Sequence, residues 1–546
     1  MSSSLDPAAP AGPGDAARLR PAGTRGAPGE PSARPRERVD LPAGRRLLLR
    51  AGLVPVEWLL RLVGPRYRPF VWLITACPPR LLAATGRWRA VRAYDHAVRR
   101  VPAYRRFASA APPADLDPVA LRVPATDKGN YVAAFSIPER CVGGRLPTRD
   151  VAVDESSGST GTPFNWVRSL RERATTHTFI SHFARHCFGE EPWITINAFS
   201  MGAWATGVNM GIALQRVSAV KSTGPDVDKI LGTLALFGPG ERYLVCGYPP
   251  FLKHLMDAAR ERDFPLRDYR LMGLVGGEGM SEGLRDYLSP VFQPVFSGYG
   301  ATDLEIGMAG ETPLSVAVRR AAREDPRLRR ALFGGDPRLP MVFQYNPLSH
   351  HVTATGEGGL LVTINRLDLL SPRIAYDVHD EGGVASYAAL EARVRAAGRS
   401  LADLAGPGGP AALRLPFLWI HGRKDSTVSV MGANIYPEDV EQALYGEPDL
   451  AAVTTSFCLA LRESPDGTLR PCFAFELRAP VTPERRRDFQ ERIVAAVQRG
   501  NADFRTAMAE HAAGVTPVVE LHPPGGGPFG ADRTRIKQIR VVRTRS

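Results

Sequence analysis

Residues 154–163 read DESSGSTGTP, a run of small hydroxyl side chains and glycines between two acids and a proline. The run has no hydrophobic period, so it forms the buried face of neither a helix nor a strand. A flexible linker has this composition. So does an anion cradle, in which glycines let successive backbone N–H groups converge while Ser and Thr hydroxyls add donors. The lysine of a GxxxxGK[ST] loop is missing, which excludes a P-loop NTPase. The surrounding chain decides between linker and cradle.

Downstream, apolar runs alternate with amphipathic segments. WITINAF (193–199), RYLVCGYP (242–249), RLMGLVGGE (270–278) and QPVFSGYGAT (293–302) read as short strands ending in Gly-rich or polar turns, with helices over 250–262 and 282–288 between them. This alternation predicts an α/β sheet, and ligands of such sheets collect where strands end in loops. The Arg- and Ala-rich stretch 314–330 and the helical stretch 385–406 read as solvated surface insertions. Past Leu415 the character changes to a smaller α+β pattern of about the size that folds alone.

A chain of 546 residues exceeds one hydrophobic core, so at least two domains are expected. The formal charge of +13 is spread along the length and gathers into no aromatic-interleaved stripe, which argues against nucleic acid. Only six of the 69 basic residues are lysines, so a surviving lysine marks a place where a compact ammonium serves and a planar fork does not. Six cysteines form no CxxC pair and fit reduced thiols in a cytoplasmic protein. His177, His182, His186 and Cys187 read as a helix that carries histidines in preference to a metal site. Residues 1–40 form an Ala/Pro/Gly/Arg-rich tail without an apolar signal core, expected to be disordered. From 47 to 82 the chain is apolar but broken by arginines, so no transmembrane segment is expected, while contact with a membrane surface fits the pattern.

With these motifs in order, the sequence resembles the adenylate-forming enzymes, which include acyl-CoA synthetases and nonribosomal adenylation domains, and most closely their phenylacetate-CoA ligase branch. The resemblance covers roughly 154–542. It implies that Ser156, Ser157, Gly158, Ser159, Thr160, Gly161 and Thr162 hold the ATP phosphates. Gly276, Gly277 and Glu278 match a GGE turn whose backbone lies along adenine. Tyr299-Gly300-Ala301-Thr302-Asp303 resembles YGxTE, implying that Tyr299 stacks on adenine, Thr302 meets the α-phosphate and Asp303 binds Mg2+. Asp stands where Glu is usual and Glu305 lies two residues on, so either carboxylate is a candidate. Residues 372–380, PRIAYDVHD, match a segment whose final Asp takes the ribose hydroxyls, here Asp380, although Ala375 and Asp377 replace its arginines. HGRKD (421–425) matches a hinge in which Arg423 contacts ribose and Asp425 is the pivot. NIYPEDVE (434–441) starts a helix at Pro437, with two acids complementing its dipole. Lys537 stands where the family carries its catalytic lysine, with Ile536 in place of the usual glycine.

The resemblance thus implies a large ATP- and acid-binding domain over 41–421 and a small mobile lid domain over 422–546. It implies ATP-dependent conversion of a carboxylic acid to an acyl-adenylate, then transfer to coenzyme A. NAFSMGAWATG (197–207) occupies the place of the acid-binding segment, and Phe199, Met201 and Trp204 suggest an aryl or apolar acid. An amine or a carrier-protein thiol is the alternative acceptor, and a nucleotide-binding homologue without turnover is the alternative of a different class. A separate carrier protein and a homodimer are left open.

Overall fold

The computed structural model describes residues 39–546 apart from 113–116, 118, 156–163, 204, 337, 407–412, 424–427, 431–432, 464–468, 531–540 and 543–546. Its centre is an eleven-stranded mixed sheet. Crossing it from one edge, the strands are His350–Ala354, Gly359–Ile364, Tyr376–Ala385, Phe417–Arg423, Met341–Tyr345, Ala309–Gly310, Phe292–Tyr299, Arg270–Gly276, Arg242–Gly247, Ile194–Asn197 and Ala219–Ser222. The last five are parallel, and the rest are joined antiparallel. Beyond their first residues, Arg242–Gly247 and Arg270–Gly276 are buried throughout, as expected of strands covered by helices on both faces. The helices Pro249–Glu261 and Glu282–Leu288 supply that cover close to where the sequence places them.

The stretches 314–330 and 385–406 are not solvated insertions. They form the helices Pro313–Glu324, Pro326–Phe333, Tyr387–Ala396 and Leu401–Ala405, whose Leu314, Val318, Leu328, Leu332, Leu390, Val394 and Leu401 share one apolar cluster with Phe417 and Trp419 of the sheet. Their many arginines conceal this in the sequence, although one of them serves the interior. Arg319 is buried, donating to Glu282 (2.9 Å) and to the Met280 carbonyl (2.8 Å), while Arg285 donates to Glu311 (2.6 Å). Acids buried on neighbouring elements let arginine take core positions.

After Arg423 the chain builds a second unit. Val518–His522, Leu469–Leu477, Thr454–Glu463 and Val541–Val542 form a four-stranded sheet, against which helices Pro437–Tyr445, Pro483–Gly500 and Ala502–Val515 enclose a core of their own. A charged latch joins it to the large unit. Lys253 Nζ donates to Asp257 (2.7 Å) and to the Thr454 carbonyl (2.8 Å), and Arg478 pairs with both Asp257 and Glu261.

At the other end, helix Ala43–Val63 lies on helix Pro79–Arg100 through Arg46–Asp95 (2.9 Å) and through Glu57, which pairs with Arg89 and Arg92. Among the described residues no helix is long and apolar enough to cross a membrane. All six cysteines are free thiols.

If the four added helices are structural, Leu328→Ala and Leu390→Ala should each cost about 2–5 kcal/mol in urea unfolding, the range for emptying a buried leucine site. Values under about 0.5 kcal/mol would return these helices to the surface.

Candidate functional site

The strands Val151–Glu155 and Asn165–Ser169 pair antiparallel as a hairpin, with Glu155 opposite Asn165, the strand ends that flank the phosphate-loop motif in sequence. The phosphate-loop residues Ser156, Ser157, Gly158, Ser159, Thr160, Gly161 and Thr162 lie outside the described residues, as do Trp204, Asp425 and Lys537. The base of the hairpin is firmly placed. Buried Arg168 donates to Asp154 (2.7 Å) and to the carbonyls of Leu304 (2.8 Å) and Thr302 (2.5 Å), tying the hairpin to the turn after strand Phe292–Tyr299. Trp166, one strand position from the loop, is buried and donates through Nε1 to Asp303 Oδ1 (3.1 Å). Arg373 lies over its ring at 4.5 Å and holds the Asp303 carbonyl (2.8 Å).

Strands Arg270–Gly276 and Phe292–Tyr299 run parallel with Gly276 opposite Gly298, which sets the GGE turn beside the Tyr299 turn. Gly277 has φ +84°, a left-handed conformation that glycine adopts without strain. Glu278 follows it in the turn. Burial, then Glu278, push the nearby Tyr248 phenol up to about 12. At Gly300 a Cβ would lie 2.6 Å from the Glu305 carbonyl oxygen, so only glycine lets this turn close. Thr302 and Tyr299 both line the cavity described below.

Tyr299 donates its hydroxyl to Asp380 (2.6 Å), and Arg423 stands directly opposite Asp380 across the strand pair. Burial and the Asp380 charge hold the Tyr299 phenol well above its ordinary value, against the lowering effect of Arg423. Three residues expected at one nucleoside, from motifs more than forty positions apart, therefore meet at one end of the sheet.

The two candidate metal carboxylates differ sharply. Glu305 is committed inside the protein, with Arg366 at 2.8 Å, His350 Nε2 at 2.7 Å and the Thr176 hydroxyl at 2.8 Å. Burial alone would raise its carboxyl, but Arg366 and His350 outweigh burial and hold it well below the usual carboxylate range. Asp303 is buried as well, but its Oδ2 faces the half-buried Lys128 ammonium at 3.1 Å and accepts from Tyr376 at 3.3 Å. The cation facing Asp303 in this arrangement is Lys128. A divalent ion would have to displace it, so the residues as placed do not fit a direct magnesium ligand at Asp303. Among the described residues no cluster of three or more His, Cys, Asp or Glu side chains suits a metal.

The sequence reading passed over Lys128. Its signal was the scarcity of lysine, and its place is a short helical turn, 128–132, capped by Asp127 and Asn130. It stands 5.9 Å from the ring centre of Phe164, the residue that follows the phosphate-loop motif in sequence.

A cavity of about 190 Å³ adjoins Gly276, Gly277, Tyr299 and Thr302. Phe199 lines it, meeting Tyr248 edge-on at 5.2 Å, and Phe70, Phe179, Phe183, Met210 and Leu413 complete a mostly apolar wall. Met201 is not on the wall. Its sulfur would lie 3.2 Å from a Cβ placed on Gly207, so it packs over the helix Ala205–Leu214 instead. The histidines of helix Leu170–Phe188 make no metal site. His177 bonds Asn209 (2.9 Å) and His182 bonds the Gly64 carbonyl (2.9 Å), while burial lowers His186 to about 4, leaving it neutral at pH 7.

With the geometry described, the likeness to solved structures is specific in kind. The chain matches a 2-hydroxyisobutyryl-CoA ligase solved in the postadenylation state with R3-HIB-AMP, at 17% identity over 87% of this chain and 92% of that chain, with a TM-score of 0.62. The chain thus shares the fold of that ligase. The same ligase in the postadenylation state with 2-HIB-AMP gives 16% identity, the same coverage and a TM-score of 0.60. With 2-HIB-AMP and CoA in its thioesterification state it gives 16%, coverage of 86% and 91%, and 0.50. No family model and no curated protein matches the sequence. The shared fold, matched over 87% of this chain, takes in both the large sheet and part of the small second unit.

Arg168→Ala should lower stability by about 3–5 kcal/mol in denaturant unfolding, because it strands the Asp154 charge in the interior. A loss below about 1 kcal/mol would show that the hairpin is not held by this residue. Glu305 gives a pH signature. Its folded value lies below the unfolded one of about 4.3, so its contribution is complete above that value and disappears as pH falls through the folded value. Stability should therefore decline below about pH 4 to 5, and Glu305→Gln should be less stable at pH 7 with a flatter acid limb. Parallel curves for the two proteins would contradict the pairing.

Proposed function

We propose that this chain is an AMP-forming acid–thiol ligase, similar to the phenylacetate-CoA ligases, acting on an aryl or apolar carboxylic acid. A carboxylate is a poor electrophile because its leaving group would be oxide. Activation solves this: the carboxylate oxygen attacks the α-phosphorus of ATP, the bond to the β-phosphate oxygen breaks, and pyrophosphate departs. The coenzyme A thiol then attacks the acyl carbon and AMP leaves. The observation that carries this reading is the meeting of the phosphate hairpin, the Tyr299–Asp380–Arg423 group and an apolar cavity at one end of the large sheet.

In this reading the hairpin loop and Lys128 face the phosphates, with ATP arriving as its magnesium complex. Asp303 sets the position of Lys128. Gly277 and Glu278 border the base, Tyr299 stacks on it, Gly300 and Thr302 shape the turn at the α-phosphate, and Asp380 and Arg423 take the ribose. Phe199 and its neighbours receive the acid; a mostly apolar wall with few polar groups suits an aryl or alkyl tail. Lys537 neutralises the charge that builds on the transferring phosphorus, brought there by a lid over 422–546 that turns about Asp425. A cytoplasmic location supplies both ATP and coenzyme A.

Acid-dependent exchange of labelled pyrophosphate into ATP, run across aryl and fatty acids, tests the first step. Exchange is expected with at least one acid, and Lys537→Ala should reduce it about 10²–10³-fold while ATP binding is kept, since a transition-state contact alone is lost. No exchange with any acid would sink the reading. Hydroxylamine trapping in place of coenzyme A separates a released adenylate from thioester formation.

A further inference from the structure

Helix Ala43–Val63 has the wrong side out for a helix facing only water. Of its 21 residues only Leu53 is fully buried. At 100° per residue, Leu47, Leu48, Val54, Trp58, Leu59 and Leu62 fall on one outward stripe about 140° wide. Leu48 is 74% exposed, Leu47 70% and Trp58 66%. The same rotation puts exposed Arg50 and Arg61 along one edge of the stripe and exposed Arg45 along the other. The helix has one acid, Glu57, which is turned inward onto Arg89 and Arg92. The outward face is therefore apolar along its middle and positive along its rims.

We propose that this face docks on an anionic lipid surface, the helix lying in the headgroup plane with its leucines and Trp58 inserted and its arginines among the lipid phosphates. The pattern is that of an interfacial helix: an apolar stripe bordered by cations, on a segment unable to span. A second copy of the chain fits the charge less well, because it would set arginine rim against arginine rim. The next helix, Tyr67–Ala76, supports the choice of lipid. It lines the apolar cavity with Phe70, Val71 and Ile74, yet leaves Trp72 68% exposed. One wall of the cavity is thus built by the layer that would meet the membrane. That this places a lipid-dissolved acid beside its binding site rests on the acid-activating reading; the docking itself does not.

The test needs neither ATP nor acid. Full-length protein is sedimented with sucrose-loaded vesicles of phosphatidylcholine alone or with 30% phosphatidylglycerol, an arbitrary but ordinary composition giving roughly the anionic character of a membrane leaflet. Binding is expected to the anionic vesicles, to weaken with salt, and to fall at least about tenfold in Leu48→Glu/Trp58→Glu, whose circular dichroism should be unchanged because both positions are exposed. Arg50→Gln/Arg61→Gln should lose the preference for anionic lipid. The proposal fails if the wild type binds neither vesicle, or if the glutamate variant binds as well as the wild type, which would assign binding to another basic segment. It fails also if the wild type is a dimer that the glutamate variant splits, which would make the face a self-interface.

Discussion

The guanidinium of Arg168 joins three parts of the chain that the candidate site needs in register. One side meets Asp154 on the strand that enters the phosphate hairpin, and the other donates to the Thr302 and Leu304 carbonyls on the turn that carries Tyr299 and Asp303. A planar fork with five donors in fixed directions is suited to holding a carboxylate and two carbonyls at once. Because these groups are buried, loosening any one leaves a charge or a polar group unsatisfied. The loop that would grip a triphosphate is thereby fixed at its root to the turn that would meet the same nucleotide. Trp166 and Arg373 repeat the logic two residues along the hairpin strand, meeting Asp303 from the hairpin and from the segment that leads into strand Tyr376–Ala385.

The same device recurs wherever the large unit departs from an apolar interior. Arg319 and Arg285 hold Glu282 and Glu311 under the added helices, and Arg366 holds Glu305. In a chain that has nearly abandoned lysine, arginine does structural work that composition would assign to the surface. Two of the few lysines sit where one compact charge suffices, Lys128 at Asp303 and Lys253 at Asp257.

Local pattern explains what the sequence revealed. The strands at 242–247 and 270–276 are buried hydrophobic runs, and the helix at 282–288 has its start signal in Ser281, so each is legible within a short window. The motifs singled out Tyr299, Asp380 and Arg423, and these residues lie together at one end of the sheet, where their service to a nucleoside is the proposal. What stayed hidden depends on partners far away in sequence. Helices 313–324 and 387–396 look solvated until Glu282, Phe417 and Trp419 are placed beside them. Glu305 looks as fit for a metal as Asp303 until Arg366 and His350 are seen to claim it. Lys128, 28 residues before Ser156 (156 − 128), has no local motif at all. Met201 shares a segment with Phe199, but only the latter turns to the cavity.

The latch between the two units gives any swing of the smaller one a solvent cost that changes with its surroundings. Separation would take Arg478 from Asp257 and the Thr454 carbonyl from Lys253, opening to water an i,i+4 ion pair whose Asp257 keeps the Tyr287 hydroxyl (2.6 Å). Dissolved ions screen freed charges better than enclosed ones. The balance between shut and swung forms would then tilt with ionic strength, so that the electrolyte around the protein becomes a dial on how long the units stay together.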